Sequence, residues 1–142
     1  MITTAGEEAL LEAMFQGVDT NFVAAGANLY LGLCNQTPDK ADTMLDISSE
    51  PSVANGYARK AISRDVTGFP TIEQVNGESR IVSLVLTFTA SGGDFSSSFT
   101  RAFLCTSASG TTGTLIAYSG AYGTPILLAD GQSQQIKFEF YP

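Results

Sequence analysis

Short apolar runs, separated by breaks rich in glycine, serine and threonine, organise this chain. The most regular is residues 80–90, where Val82, Leu84, Leu86 and Phe88 alternate with Ile81, Ser83, Val85, Thr87 and Thr89. Successive side chains of a strand point to opposite faces, so this spacing predicts one strand with its first set in a core. The second set is still apolar at Ile81 and Val85, and that face calls for a cover: a loop, the N-terminal helix or another subunit. Residues 135–141 repeat the pattern, with Ile136, Phe138 and Phe140 to one side and Lys137, Glu139 and Tyr141 to a wet face. NLYLGLC at 28–34 and YARKAISR at 57–64 predict further strands, as do residues 99–106, 114–119 and 124–128. The Phe69-Pro70 pair interrupts the pattern, and Asn76-Gly77 marks a tight turn leading into residues 80–90.

One segment has helical spacing. Thr3 or Thr4 caps a helix that runs through Leu10, Leu11, Met14 and Phe15 and stops at Gly17, with Glu7 and Glu8 suited to the positive end of its dipole. Residues 35–55 are polar and form the longest loop, and a loop of that size inside a compact domain usually serves an interaction. About seven short strands with regular turns predict an all-β fold, an antiparallel β-sandwich or jelly-roll-like arrangement with one short N-terminal helix. The 142 residues fit a single domain, with residues 1–27 as helix and arm and residues 35–55 as interaction loop.

Composition narrows the partners. Hydrophobic residues make up 44% and charged residues 15%, which describes a packed globular protein. A net charge of −7 with only seven Lys and Arg works against nucleic-acid binding, since phosphates need clustered cations. Arg59, Lys60 and Arg64 lie close together and are read as charges that keep a sheet edge soluble. No apolar run approaches the ~18 residues of a membrane helix. The start is acidic at Glu7, Glu8 and Glu12, so no secretory signal is expected and synthesis is placed in the host cytoplasm. Cys34 and Cys105 sit in apolar runs and are expected to be free, buried thiols.

Candidate chemistry is sparse. The sequence contains no histidine, which removes Ser-His and Cys-His nucleophile pairs and His-containing zinc sites. The glycine-rich stretches lack the Gly-Lys-Ser/Thr ending of a phosphate loop and read as turns. Paired carboxylates could serve a glycosidase, but the chain has no tryptophan for sugar stacking, and surface charge accounts for them. The chain is therefore expected to be no enzyme and to hold no cofactor. Asp39, Asp42, Asp46 and Glu50 share the long loop and could converge on calcium, though their spacing fits no calcium-loop motif; a calcium-dependent binding module is the third functional reading.

The order LLEAMF, LYLGLCNQTPD, NGYARKAIS, LTFTASGGDF, TRAFLCTSASGTTGTLIAYS, TPILLADGQS and IKFEFY resembles a family of small phage virion proteins of tail-fibre or head-decoration type. The likeness covers residues 10–141, and Asn55-Gly56-Tyr57-Ala58-Arg59 and Ala129-Asp130-Gly131 carry most of it. It implies a β-sandwich subunit assembled in copies on a virion, with no catalytic residues. Two roles follow from it. A head-decoration or cement subunit would bind the outer capsid surface, with the major capsid protein or other virion proteins as partners; by analogy with decoration proteins it would be a homo-oligomer, taken as a trimer. Its contacts would be Met14 and Phe15 of the N-terminal segment and Met44, Leu45 and Ile47 of the loop, unless the last three fold back on the domain's own core. A tail-fibre, tail-tip or adaptor component would instead bind tail proteins or a host glycan, with Tyr118 and Tyr122 as contacts.

Overall fold

The computed structural model of the chain describes residues 1–11 and 28–141. Its elements are a helix α1 (Thr4–Leu11) and the strands β1 (Asn28–Cys34), β2 (Lys60–Ser63), β3 (Thr71–Val75), β4 (Glu78–Val82), β5 (Leu86–Thr89), β6 (Arg101–Cys105), β7 (Leu115–Tyr118), β8 (Ser133–Ile136) and β9 (Glu139–Phe140). All pairings between them are antiparallel. The fold is all-β and sandwich-like. A four-stranded sheet ordered β2-β1-β6-β7 forms one layer, and the other is divided into β3-β4-β9 and β5-β8.

The main core lies between these layers. Leu29, Leu31 and Leu33 of β1 and Ala102 and Leu104 of β6 meet Leu86, Phe88, Ile136 and Phe138 from the opposite side. The other face of the four-stranded sheet is also buried: Cys34, Phe103, Cys105, Leu115 and Tyr118 form a second cluster with Met44 from the long loop. That explains why β1, β6 and β7 read as nearly continuous apolar runs, since a sheet covered on both faces has no wet side to alternate with.

Residues 80–90 do not form one strand, and neither do residues 135–141. Each is divided, and at the same level. Val82 lies opposite Glu139 and Leu86 opposite Ile136, so four steps along one strand span three along the other. This is a bulge, which kinks and twists the ribbon. Ser83 holds it together: its N–H donates to the Phe138 carbonyl at 2.9 Å, and its hydroxyl accepts from the Phe138 N–H, also at 2.9 Å. The Leu84 N–H turns away to the Gly68 carbonyl at 2.8 Å. Ser83, expected on the second face, is therefore buried, whereas Leu84 is only half-buried and Val85 is exposed.

Other departures have similarly local causes. The turn at Asn76-Gly77 joins β3 to β4 with φ of 54° and 85°, the left-handed pair that a two-residue hairpin needs. Its first arm, TIEQV, is too polar to have been read as a strand. Of residues 124–128 only Ile126 pairs, in an isolated bridge with Phe99; Pro125 brings no N–H to a ladder.

Thr3 caps α1, its hydroxyl accepting from the Gly6 N–H at 3.1 Å. Ahead of the helix, Ile2 bridges Ala117 and the Thr3 N–H donates to the Ile116 carbonyl, so the start of the chain covers the outer edge of β7. The helix was expected to reach Gly17; its described part ends at Leu11, and Met14 and Phe15 lie outside the described residues. Cys34 and Cys105 are free and buried. Cys34 stands opposite Arg101 and Cys105 opposite Tyr30, four positions away along the ladder. That offset of roughly 13 Å is far beyond disulfide reach.

Candidate functional site

The surface of the fold is built from the long loop and from the edges of the two layers. The loop of residues 35–55 lies over the outer face of the four-stranded sheet, and polar staples fix it there. Arg59 is the larger of these, its side chain only 3% exposed. Its Nε and Nη2 donate to the two carboxylate oxygens of Glu50 at 2.8 and 2.7 Å. Nη1 reaches the Ser107 carbonyl and hydroxyl at 3.0 and 3.1 Å, and Nη2 the Gly110 carbonyl at 2.8 Å. The guanidinium also sits 5.2 Å from the Phe103 ring centre. Tyr57 donates its hydroxyl to Glu50 at 2.7 Å and accepts the Leu33 N–H at 3.0 Å, and burial raises its pKa. Arg59 is thus a structural ion pair and not an edge charge.

Tyr118 is the second staple. Its hydroxyl donates to Asp42 at 2.8 Å and accepts from Gln36 at 2.8 Å, and its pKa is raised by burial first and then by that carboxylate. The remaining loop acids have local duties. Asp39 accepts the Ala41 N–H, and Asp46 accepts the N–H and hydroxyl of Thr43, which hold its carboxyl below the usual range. Among the described residues, no three His, Cys, Asp or Glu side chains converge.

This arrangement distributes the expected contact residues. Met44 and Tyr118 are buried and face the interior, because the loop folds back on the sheet through them. Ile47 packs partly against the same cluster. Leu45 points outward, 76% exposed. Tyr122 is exposed at its rim, with its ring edge-on to Phe99 at 6.3 Å.

A surface that sequence reasoning did not single out lies on the three-stranded sheet. Ile72, Ile81 and Phe140 stand in register across β3, β4 and β9. Next to this row Arg80 pairs with Glu73, its register partner, and reaches diagonally to Glu139, which stands opposite Val82, each at 2.7 Å. The apolar row opens on a pit of about 130 Å³ lined by Leu29, Phe69, Ile81, Leu104, Ile116 and Phe140. Beside it Val66 and Ile72 are 82% and 75% exposed. The one available signal was Ile81, an apolar residue on the face of residues 80–90 that needed a cover.

Residues 1–137 match the family described as Podophage GP4 fiber I protein gp80. The chain belongs to that family. It is a family of phage fibre proteins, so the likeness to small virion proteins read from the segment order stands, and with it a structural role in the virion among other virion proteins. No curated protein matches the chain. No helix among the described residues is long and apolar enough to cross a membrane.

Proposed function

We propose that this chain is a structural subunit of a phage tail fibre, that it works by packing against its neighbours, and that it is no enzyme. The observation that carries the fibre reading is the family match over residues 1–137, whose description names a fibre protein. It favours the fibre over the head-decoration subunit, which is otherwise equally compatible with an acidic β-sandwich. The buried ion pair and the loop folded over one sheet face suit a rigid building block, because they leave little of the long loop free to reorganise.

The contact we assign is the Val66–Ile72 face, and its occupant is a second copy of the chain. Among the described residues β3 is the outer strand of its sheet, and an outer strand presents a row of backbone groups to a like strand. Large exposed aliphatic side chains beside that edge add apolar area to the same contact. Leu45 and Tyr122 remain secondary contacts toward other virion proteins.

Counting this chain per purified particle, together with electron microscopy of particles labelled with an antibody against it, tests the location. A few to a few dozen copies on the tail are expected. Hundreds of copies on the head would overturn the fibre reading and restore decoration.

A further inference from the structure

The sequence holds the dipeptide Asn-Gly twice, at Asn55-Gly56 and Asn76-Gly77, and the fold treats the two in opposite ways. Both asparagines have left-handed backbone, with φ of 50° and 54°. Only one of the side chains is restrained.

The Asn55 amide is wedged. Its Nδ2 donates to the Asp94 carbonyl at 2.6 Å, while the main-chain carbonyl of Asn55 accepts the Ser91 N–H at 2.9 Å and fixes the backbone beside it. A methyl group on Gly56 would lie 2.6 Å from the Thr89 carbonyl oxygen, so that glycine is packed against β5. Asn76 is at the tip of the β3–β4 hairpin, exposed, and its side chain makes no hydrogen bond among the described residues. Around Gly77, nothing lies within 4 Å of the place a Cβ would occupy.

We propose that Asn76 is a site of spontaneous deamidation and that the fold protects Asn55 in the same dipeptide. The Gly77 backbone nitrogen attacks Cγ of Asn76; a new C–N bond closes a succinimide ring, the Cγ–Nδ2 bond breaks, and ammonia leaves. Water then opens the ring at either carbonyl and yields aspartate or isoaspartate. The net change is asparagine plus water to acid plus ammonia, with no oxidant or reductant. The reaction needs an amide free to swing onto the following nitrogen and an unshielded glycine at that nitrogen. Asn76-Gly77 offers both, and Asn55-Gly56 offers neither.

The product matters for the hairpin. Either acid adds a negative charge beside Glu78. Isoaspartate also inserts a methylene into the main chain of a two-residue turn, which disturbs the pairing of Val75 with Glu78 and the register that sets Ile72 opposite Ile81.

The test is incubation of the full chain in mildly alkaline buffer, natively and in urea, followed by peptide mapping with mass spectrometry that separates aspartate from isoaspartate. In the native protein the Asn76 peptide should gain about one mass unit at least about tenfold faster than the Asn55 peptide, a ratio equal to about 1.4 kcal/mol of local protection. In urea the two should convert at similar rates. Equal native rates would overturn the proposal, as would native protection of both sites when urea exposes both. A preference for Asn76 that persists unchanged in urea would assign it to the neighbouring sequence and overturn the role given to the fold. Asn76→Asp, as a stand-in for one product, should fold with the same β content, which separates the effect of charge from that of the isoaspartate backbone.

Discussion

Gly32 of β1 and Phe103 of β6 face each other in register, and the Phe103 ring comes so close that a methyl group on Gly32 would lie 2.3 Å from its Cζ. The ring has Arg59 near it as well, so it cannot withdraw without disturbing the ion pair. Gly32→Ala is therefore expected to destabilise the protein by about 1–3 kcal/mol through overpacking. Adding Phe103→Leu should recover part of that loss in urea unfolding, whereas two simply additive losses would show that the ring is not the cause.

Glu50 carries a second prediction. Its side chain is 18% exposed, so Glu50→Ala leaves a buried guanidinium without its carboxylate and should cost about 3 kcal/mol. Glu7→Ala, which removes the exposed pair with Lys40, should cost less than about 1 kcal/mol. Equal losses in chemical denaturation would refute the role given to Glu50.

Ser83→Ala tests the bulge. The variant keeps the volume but leaves the Phe138 N–H without its acceptor, at an expected cost of about 1–3 kcal/mol. Hydrogen exchange at Phe138 should accelerate more than at Leu31 in the main core, and a uniform change would count against a local effect.

Stability should fall in alkali. Burial pushes the Cys34 thiol up to about 12 from an ordinary 9.0, and the hydroxyls of Tyr57 and Tyr118 are raised too, chiefly by burial. For the thiol, the unfolded chain loses its proton first as pH rises. Its contribution is therefore complete below pH 9 and is lost between 9 and about 12. Denaturation midpoints followed from pH 7 upward should decline across that window, and a flat profile would contradict it. Both thiols should react with an alkylating reagent only on unfolding, and mild oxidant should form no bond within the chain.

Self-association should depend on the β3 face. Ile72→Glu changes a 75% exposed side chain and should leave the melting temperature within a few degrees of the parent. The parent is expected to sediment as an oligomer and the variant to shift toward monomer. If both are monomers, or if the variant associates as the parent does, the second copy is not the occupant of this face.

The sequence by itself determined the class of fold. Alternation over Leu86–Thr89, the near-continuous apolar character of β1 and β6, the capped helix start at Thr3 and the Asn76-Gly77 hairpin turn are local properties of the chain, and each appears in the structure. The absence of histidine was equally plain and set aside the commonest chemistry. Only the tertiary structure decided where those strands break and which residues of residues 35–55 face outward. The break at Ser83 is an offset between two segments more than fifty positions apart, and no local pattern encodes it. Met44 and Leu45 are neighbours of similar character, and one is buried while the other is exposed because Glu50 and Asp42 bind distant partners in Arg59 and Tyr118. The apolar face at Ile72 likewise arises only when β3, β4 and β9 align, since its members are scattered in sequence and share a surface through pairing alone.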